Sequence, residues 1–277
     1  MKNICAITMV RNDDFFLRKW ISYYGKELGE ENLYVYLDGK DQVVPDFCGK
    51  ANVQVCERRA GTVARADRLR IDFLSGEAAR LLERYDWVIG TDVDEFIVVD
   101  PRTGKSLSEF LSECRCRPNI SALGLDVGQH LGKESAIDPE KPFLQQRRYA
   151  YLSSRYTKSS IISRPVAWGS GFHRVRHRNF RIVPDLYLFH FGCVDYERLK
   201  ARSEDADRLA EGWTRHFAKR ARTIAIVSRK KACAWEKAVP RMRRMQQCCR
   251  QLFALNKPAT YGLKVVVEIP ERFQNIV

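Results

Sequence analysis

The sequence predicts an α/β protein: a mostly parallel sheet flanked by helices, followed by a basic, helical C-terminal region. Three observations carry that prediction. Strand-like and helix-like apolar patterns alternate from the N-terminus to residue 94. The strand-like runs end in acids and amides, the polar residues expected where a parallel sheet opens onto a ligand crevice. Charge is also unevenly divided, with 19 Lys and Arg against 24 Asp and Glu in residues 1–140, and 29 against 10 in residues 141–277.

The elements follow in order. Residues 4–10 (Ile-Cys-Ala-Ile-Thr-Met-Val) read as a buried strand, and Arg11, Asn12, Asp13 and Asp14 as the polar loop that ends it and caps a helix. Phe16, Trp20, Ile21, Tyr24 and Leu28 keep helical spacing up to Gly29, a helix-stopping residue. Residues 33–37 form a second strand that ends at Asp38, and residues 53–56 a shorter third. Residues 65–85 are expected to be helical, with Leu69, Phe73, Leu74, Ala78, Leu81 and Leu82 as the buried stripe.

The most informative stretch is Trp87-Val88-Ile89-Gly90-Thr91-Asp92-Val93-Asp94-Glu95-Phe96-Ile97-Val98-Val99. Three carboxylates within four residues interrupt one apolar run and precede another, which pins them at the tip of a buried strand. Asp92 and Asp94 stand two residues apart, so an extended backbone sends both side chains to one side, roughly 6–7 Å apart at Cα. Their repulsion calls for a positive partner, and a divalent cation carrying phosphate oxygens supplies one. The ends of the first, second and fourth strands, at Arg11 to Asp13, at Asp38 and at Asp92 to Asp94, are expected to converge on one crevice. The chain has neither Gly-x-Gly-x-x-Gly nor Gly-x-x-x-x-Gly-Lys-Ser/Thr, so dinucleotide and P-loop phosphate cradles are missing.

Beyond Pro101 the patterns suggest a short helix at 106–114, a strand at 120–126, a polar stretch without clear period at 127–146, and a strand through 185–192. Asp126 ends one apolar run and His190 ends another. Residues 197–217, 223–238 and 242–255 read as helices, with Pro240 as a break. In the last of them Arg243, Arg244 and Arg250 interleave with Met242, Met245, Leu252 and Phe253, an arrangement that suits peripheral contact with an anionic membrane.

At 277 residues and 45% hydrophobic content the chain can bury an ample core. No window is apolar enough for a membrane span, and Met1-Lys2-Asn3 leads directly into a strand, so a cytoplasmic location is expected, with the basic C-terminal helix offering contact with the inner face of the plasma membrane. The nine cysteines are odd in number and lack paired Cys-x-x-Cys spacing, and are expected to be reduced thiols.

Several of these segments together resemble a known family. Thr8-Met9-Val10-Arg11-Asn12-Asp13, then Leu17-Arg18-Lys19-Trp20-Ile21-Ser22-Tyr23-Tyr24, then Val35-Tyr36-Leu37-Asp38-Gly39, then Asp92-Val93-Asp94-Glu95-Phe96, resemble the bacterial family-two-like branch of GT-A-fold glycosyltransferases. That branch has a Lys-Asn-Glu loop, a Trp-Ile helix and an Asp-x-Asp-Glu-Phe segment. Arg11 and Asp13 replace the Lys and Glu and keep both charges. The resemblance covers residues 4–100 and is loose beyond them.

It implies a GT-A-like, Rossmann-like catalytic domain over residues 1–195, with a nucleotide-sugar half to about residue 100 and an acceptor half after it. Residues 196–277 become a basic helical extension packed on that domain. The implied activity is metal-dependent transfer of a sugar from a nucleoside diphosphate sugar, a UDP-sugar first among donors, to a saccharide or lipid-linked acceptor in bacterial surface polysaccharide or lipopolysaccharide synthesis. Asp38 would contact base or ribose, and Arg11, Asn12 and Asp13 would lie along the nucleotide. Asp94 would bind Mn2+ or Mg2+ directly, Asp92 would face the ribose or metal waters, and His190 would complete the metal site. Lys158 and His173 fall where the branch carries a Lys and a His, and Lys158 and Arg164 would stand beside the departing diphosphate. Asp126 would be the general base toward the acceptor hydroxyl, and a neutral His190 imidazole suits a manganese-like ion. Glu95 either contacts the acceptor or caps the next turn. The alternative class is a nucleic-acid-binding protein or metal nuclease using the basic half. Against it, basic and aromatic residues form no known nucleic-acid module, and the acids cluster in the other half.

Overall fold

The computed structural model describes residues 2–115, 118–204 and 214–277, for 214–220 the backbone alone. The chain begins β1 (Ile4–Val10), α1 (Asp14–Leu28), β2 (Leu33–Asp38), β3 (Asn52–Cys56), α2 (Val63–Leu81), β4 (Trp87–Gly90) and β5 (Glu95–Val99). It continues α3 (Leu107–Glu113), β6 (Asn119–Gly128), α4 (Phe143–Gln146), β7 (Tyr149–Leu152), β8 (Ile161–Ile162) and β9 (Ile182–Cys193). The remaining elements are α5 (Tyr196–Glu204), α6 (Thr214–Arg229), α7 (Trp235–Cys248), the hairpin β10 (Arg250–Gln251) and β11 (Ala254–Pro258), and β12 (Val266–Glu268).

Strands β3, β2, β1 and β4 run parallel in that order, the Rossmann-like part of the sheet. β8 lies antiparallel between β4 and β6, and β7 and β12 extend the sheet beyond β6. β6 also runs parallel to β9, which pairs antiparallel with β5. Alternation along β1 divides the core into layers. Ile4, Ala6 and Val10 pack with Phe16, Trp20 and Tyr24 of α1, whereas Cys5, Ile7 and Met9 pack with Ile71, Leu74 and Ala78 of α2. A central parallel strand buried on both faces, with a helix on each, gives the α/β class expected from the alternating pattern.

Some local expectations are corrected. The buried stripe of α2 is Ile71, Leu74, Ala78 and Leu81, and Leu69 is exposed. Pro240 sits in the second turn of α7, where its missing N–H interrupts one bond only, and the break falls at residues 230–234. Residues 242–255 are not one helix, because Cys249 turns to extended backbone and β10–β11 follows. The expected helix at 197–217 is described only to Glu204, with residues 205–213 outside the described set.

The C-terminal helices join the main core: Trp235, Ala238, Val239 and Met242 of α7 pack with Tyr187 and Phe189 of β9, Tyr187 meeting the Trp235 ring at 5.1 Å. Burying side chains of this size contributes about 1.5–3 kcal/mol each. Among the described residues, no helix is long and apolar enough to cross a membrane, and the eight cysteines are free thiols.

Candidate active site

The acidic turn is built from α1. Trp20 Nε1 donates to Thr91 Oγ1 at 2.9 Å, fixing the residue just before Asp92. Tyr23 donates to the Ile97 carbonyl at 2.6 Å, and Tyr24 both donates to the Glu95 carbonyl at 3.3 Å and accepts from Ile97 N–H at 2.9 Å. These three rings are buried, so their polar atoms need protein partners, and the turn between β4 and β5 supplies them. The Trp-Ile-Ser-Tyr-Tyr segment therefore acts as a clamp on residues 91–97.

Register then assembles the acidic cluster. Glu95 of β5 pairs with His190 of β9, and His190 pairs with Asp126 of β6. Three adjacent strands thus carry Glu95, His190 and Asp126 side by side. His190 Nδ1 lies 2.6 Å from Asp126 Oδ1, and its Nε2 lies 3.4 Å from Asp94 Oδ2. Thr223 of α6 donates to the other Asp126 oxygen at 2.5 Å, and the Tyr156 ring stacks on the imidazole at 3.8 Å. Burial lowers the His190 ring, but Asp94 and Asp126 outweigh it and raise it to about 9. Burial pushes the Glu95 carboxyl up to about 7, with Asp92 and Asp94 adding to it against Lys158 and His190.

One oxygen each of Asp94 and Glu95 and one nitrogen of His190 lie within 4.8 Å of one another, all buried. Glu95 Oε2 is buried with no hydrogen-bond partner among the described residues. A Cβ on Gly192 would stand 2.6 Å from His190 Cε1 and 3.0 Å from Asp94 Oδ2, so only glycine fits here without displacing the imidazole or the carboxylate. Two carboxylates and an imidazole with their ligand atoms this close together fit a divalent cation of the Mg2+ or Mn2+ kind, and Asp126 supplies the carboxylate that commonly orients a metal-binding histidine.

Asp92 has different partners. Its Oδ1 meets Arg70 Nη1 at 2.7 Å and its Oδ2 meets Lys158 Nζ at 3.0 Å. Burial favours its neutral form, but Lys158 and Arg70 hold the carboxyl far below its usual range. Lys158, 2% exposed, also reaches Glu95 Oε1 at 2.5 Å. The segment carrying Lys158 passes so close to β6 that a Cβ on Gly124 would overlap the Tyr156 carbonyl carbon. Thr157 anchors it, accepting from Gly124 N–H at 2.9 Å and donating to Gln246 of α7 at 2.6 Å.

The same cleft, of about 1480 Å³, is also lined by the first loop and the tip of β2. Asp38 Oδ1 accepts from Arg59 N–H at 2.9 Å, and Arg58 lies 3.7 Å from Oδ2. Arg11 donates to the Asp38 carbonyl at 2.9 Å and forms a two-pronged pair with Asp41 at 2.8 and 2.7 Å. Asn12, at φ 49°, exchanges two hydrogen bonds with Gln42. Asp13 is held by Arg202 of α5 at 2.8 Å. His173 lines the cleft, and burial together with Lys158, Lys257 and Arg155 keeps it well below the usual histidine range.

One cleft therefore gathers Arg11, Asn12, Asp13, Asp38, Asp92, Asp94, Glu95, Asp126, Lys158, His173 and His190. Arg164 lies elsewhere, on a separate small pocket with Pro118, Pro165, Val166 and Arg178. Sequence reasoning missed Arg70, Tyr156, Thr223 and Gln246. Arg70 sits in a helix whose other arginines gave it no distinction, and the other three have no local pattern that marks them.

No family model matches the chain, and no curated protein matches it by sequence. Solved structures similar to it include the WbbM bifunctional glycosyltransferase, 15% identical over 45% of this chain and 23% of that one, at a TM-score of 0.26. They also include mannose-1-phosphate geranyltransferase from Thermus thermophilus, 10% identical over 96% of this chain and 74% of that one (TM-score 0.31). A third is CMP:2-keto-3-deoxy-manno-octonic acid synthetase complexed with CTP, 12% identical over 80% of this chain and 87% of that one (TM-score 0.27). At these scores the likeness carries no argument about activity, and this chain spans under a quarter of the first of them.

Proposed function

We propose that the cleft binds a nucleoside diphosphate sugar with a divalent cation and transfers the sugar to a saccharide or lipid-linked acceptor. The observation that carries this reading is the convergence of Asp94, Glu95 and His190, with Gly192 packed against the first and last of them, in the same cleft as the Asp38 loop. Asp94, Glu95 and His190 would hold the cation, with Asp126 and Thr223 fixing the His190 ring from behind. Bound there, a divalent cation would neutralise diphosphate charge and ease departure of the nucleotide.

The chain's own residues take the other roles. We assign Asp38, whose Oδ1 accepts from the Arg59 N–H, to a hydrogen bond from base or ribose through its other oxygen, and Arg11 braces that loop. Asp92 and Lys158 form the charged floor of the cleft. Arg155 and Arg222 line it with no carboxylate partner among the described residues, and we assign them, in place of Arg164, to the departing diphosphate. Asp126 has both oxygens engaged, so it positions His190 rather than taking a proton from the acceptor. Polysaccharide or lipopolysaccharide assembly is the setting implied by the family resemblance.

Calorimetry of UDP with Mn2+ on wild type and Asp94→Ala tests the reading. Metal-dependent nucleotide binding that disappears in the variant supports it. Unchanged binding in the variant, or tight salt-sensitive DNA binding in place of nucleotide binding, overturns it. A hydrolysis screen over nucleotide sugars, with and without Mn2+, then identifies the donor.

A further inference from the structure

The C-terminal hairpin exposes an apolar tip that no part of the cleft uses. Leu252, Phe253 and Leu255 are 88%, 82% and 70% exposed, on and beside the turn between β10 and β11. Ordering three large apolar side chains in water on so short a hairpin gains nothing for the fold. The surrounding chain has one sign of charge: from Arg241 to Lys264 it carries six cations and no carboxylate. Arg241 and Arg244 lie on the exposed face of α7, which leads directly into the hairpin. Met242 and Met245, in contrast, pack into or against the core, so the apolar surface on offer belongs to the hairpin and not to the helix.

We infer that this hairpin is a membrane-inserting wedge: Leu252, Phe253 and Leu255 enter the headgroup–acyl boundary of an anionic bilayer while the flanking arginines and lysines bind its headgroups. Apolar penetration combined with a basic rim is the pairing that gives an interfacial anchor usable affinity, since either component alone binds weakly. The wedge is tied to the cleft wall. Asn256 Nδ2 donates to the Val175 carbonyl at 2.7 Å, two residues beyond His173, and Arg250 lies over the Phe180 ring at 4.2 Å. Docking at the tip therefore holds the cleft at a fixed height above the lipid surface.

Sedimentation with vesicles of two parts phosphatidylcholine to one part phosphatidylglycerol tests the inference on the full chain, without reference to any enzymatic activity. Wild type is expected to partition onto these vesicles and far less onto pure phosphatidylcholine. Leu252→Ser/Phe253→Ser/Leu255→Ser is expected to reduce partitioning at least about 30-fold, given three large apolar side chains, with circular dichroism unchanged because these residues are exposed. Phe253→Trp should add emission that shifts to the blue on anionic vesicles and is quenched by brominated acyl chains. Three results would each overturn the inference. The first is absence of wild type from the vesicle pellet. The second is a triple variant that binds as tightly as wild type with the added tryptophan unshifted, which would mean surface charge alone. The third is a tip that pairs two copies, seen as a dimer by light scattering that the triple variant dissociates.

Discussion

His190 and Asp126 face each other across β9 and β6, with Nδ1 2.6 Å from Oδ1, and this contact sets which ring nitrogen points at Asp94. Asp126→Asn keeps the volume but removes the charge that holds the ring. It is expected to weaken Mn2+ affinity by roughly 10–100-fold. Thr223→Val, one contact further out, should weaken it by only several-fold. Mn2+ titration followed by electron paramagnetic resonance checks both, and equal affinity in Asp126→Asn and wild type would refute the positioning role.

Gly192 is predicted to be intolerant of a methyl group for a local steric reason. The His190 ring is held by Asp126 on one side and Tyr156 on its face, so it has nowhere to retreat from a Cβ 2.6 Å away. Gly192→Ala should reduce metal-dependent UDP binding by at least about ten-fold, on the scale of losses from disturbing a metal ligand's support. Metal-free nucleotide binding should be nearly unchanged. Calorimetry with Mn2+ and with a chelator separates the two.

Lys158 neutralises two carboxylates from a buried position. Breaking a buried ion pair from one side costs about 3–5 kcal/mol. Here Asp92 retains Arg70, and Glu95, already near 7, takes up a proton readily. Lys158→Met should therefore cost less, about 2–3 kcal/mol. Adding Glu95→Gln should return part of that loss, and urea denaturation of the two single variants and the double completes the cycle.

Asp100 offers a pH test away from the cleft. Its side chain is fully buried between Arg102 and Arg272, with contacts at 2.9 Å to each. Burial raises the carboxyl, but hydrogen bonds from Arg272 and Arg102 outweigh that and hold it below its ordinary value. A depressed carboxyl stabilises the folded state at pH above its unfolded value, and the contribution is lost as pH falls through the folded one. Asp100→Asn should be less stable than wild type by about 1.5–3 kcal/mol near neutrality. The difference should shrink below about pH 4, where the unfolded carboxyl protonates. Thermal melts across that range give the answer.

The first hundred residues were legible because their signals are local. The mainly apolar run of β1 and the period-3.6 burial in α1 depend on neighbours within one or two turns, and the Asp92 to Glu95 acids announce a strand tip on their own. The C-terminal third was harder. Met245, Leu252 and Phe253 keep a spacing that a helix could bury, yet Cys249 leaves the helix and two of the three end in solvent. In α2, Leu69 matched the stripe by type but projects outward, because the register is set by where Ile71 and Leu74 meet β1.

The sequence by itself determined the layered α/β core, the acidic turn at the end of β4 and the cationic character of the second half, since each follows from the order and spacing of residues along the chain. Only the tertiary structure decided which charges meet. Asp92 is matched with Arg70 and Lys158, while Asp94 and Glu95 face His190, and Thr223 and Gln246 reach back from C-terminal helices to brace Asp126 and Thr157. Strand register fixes those partnerships: Glu95, His190 and Asp126 are neighbours because β5, β9 and β6 are, and sequence separation says nothing of that.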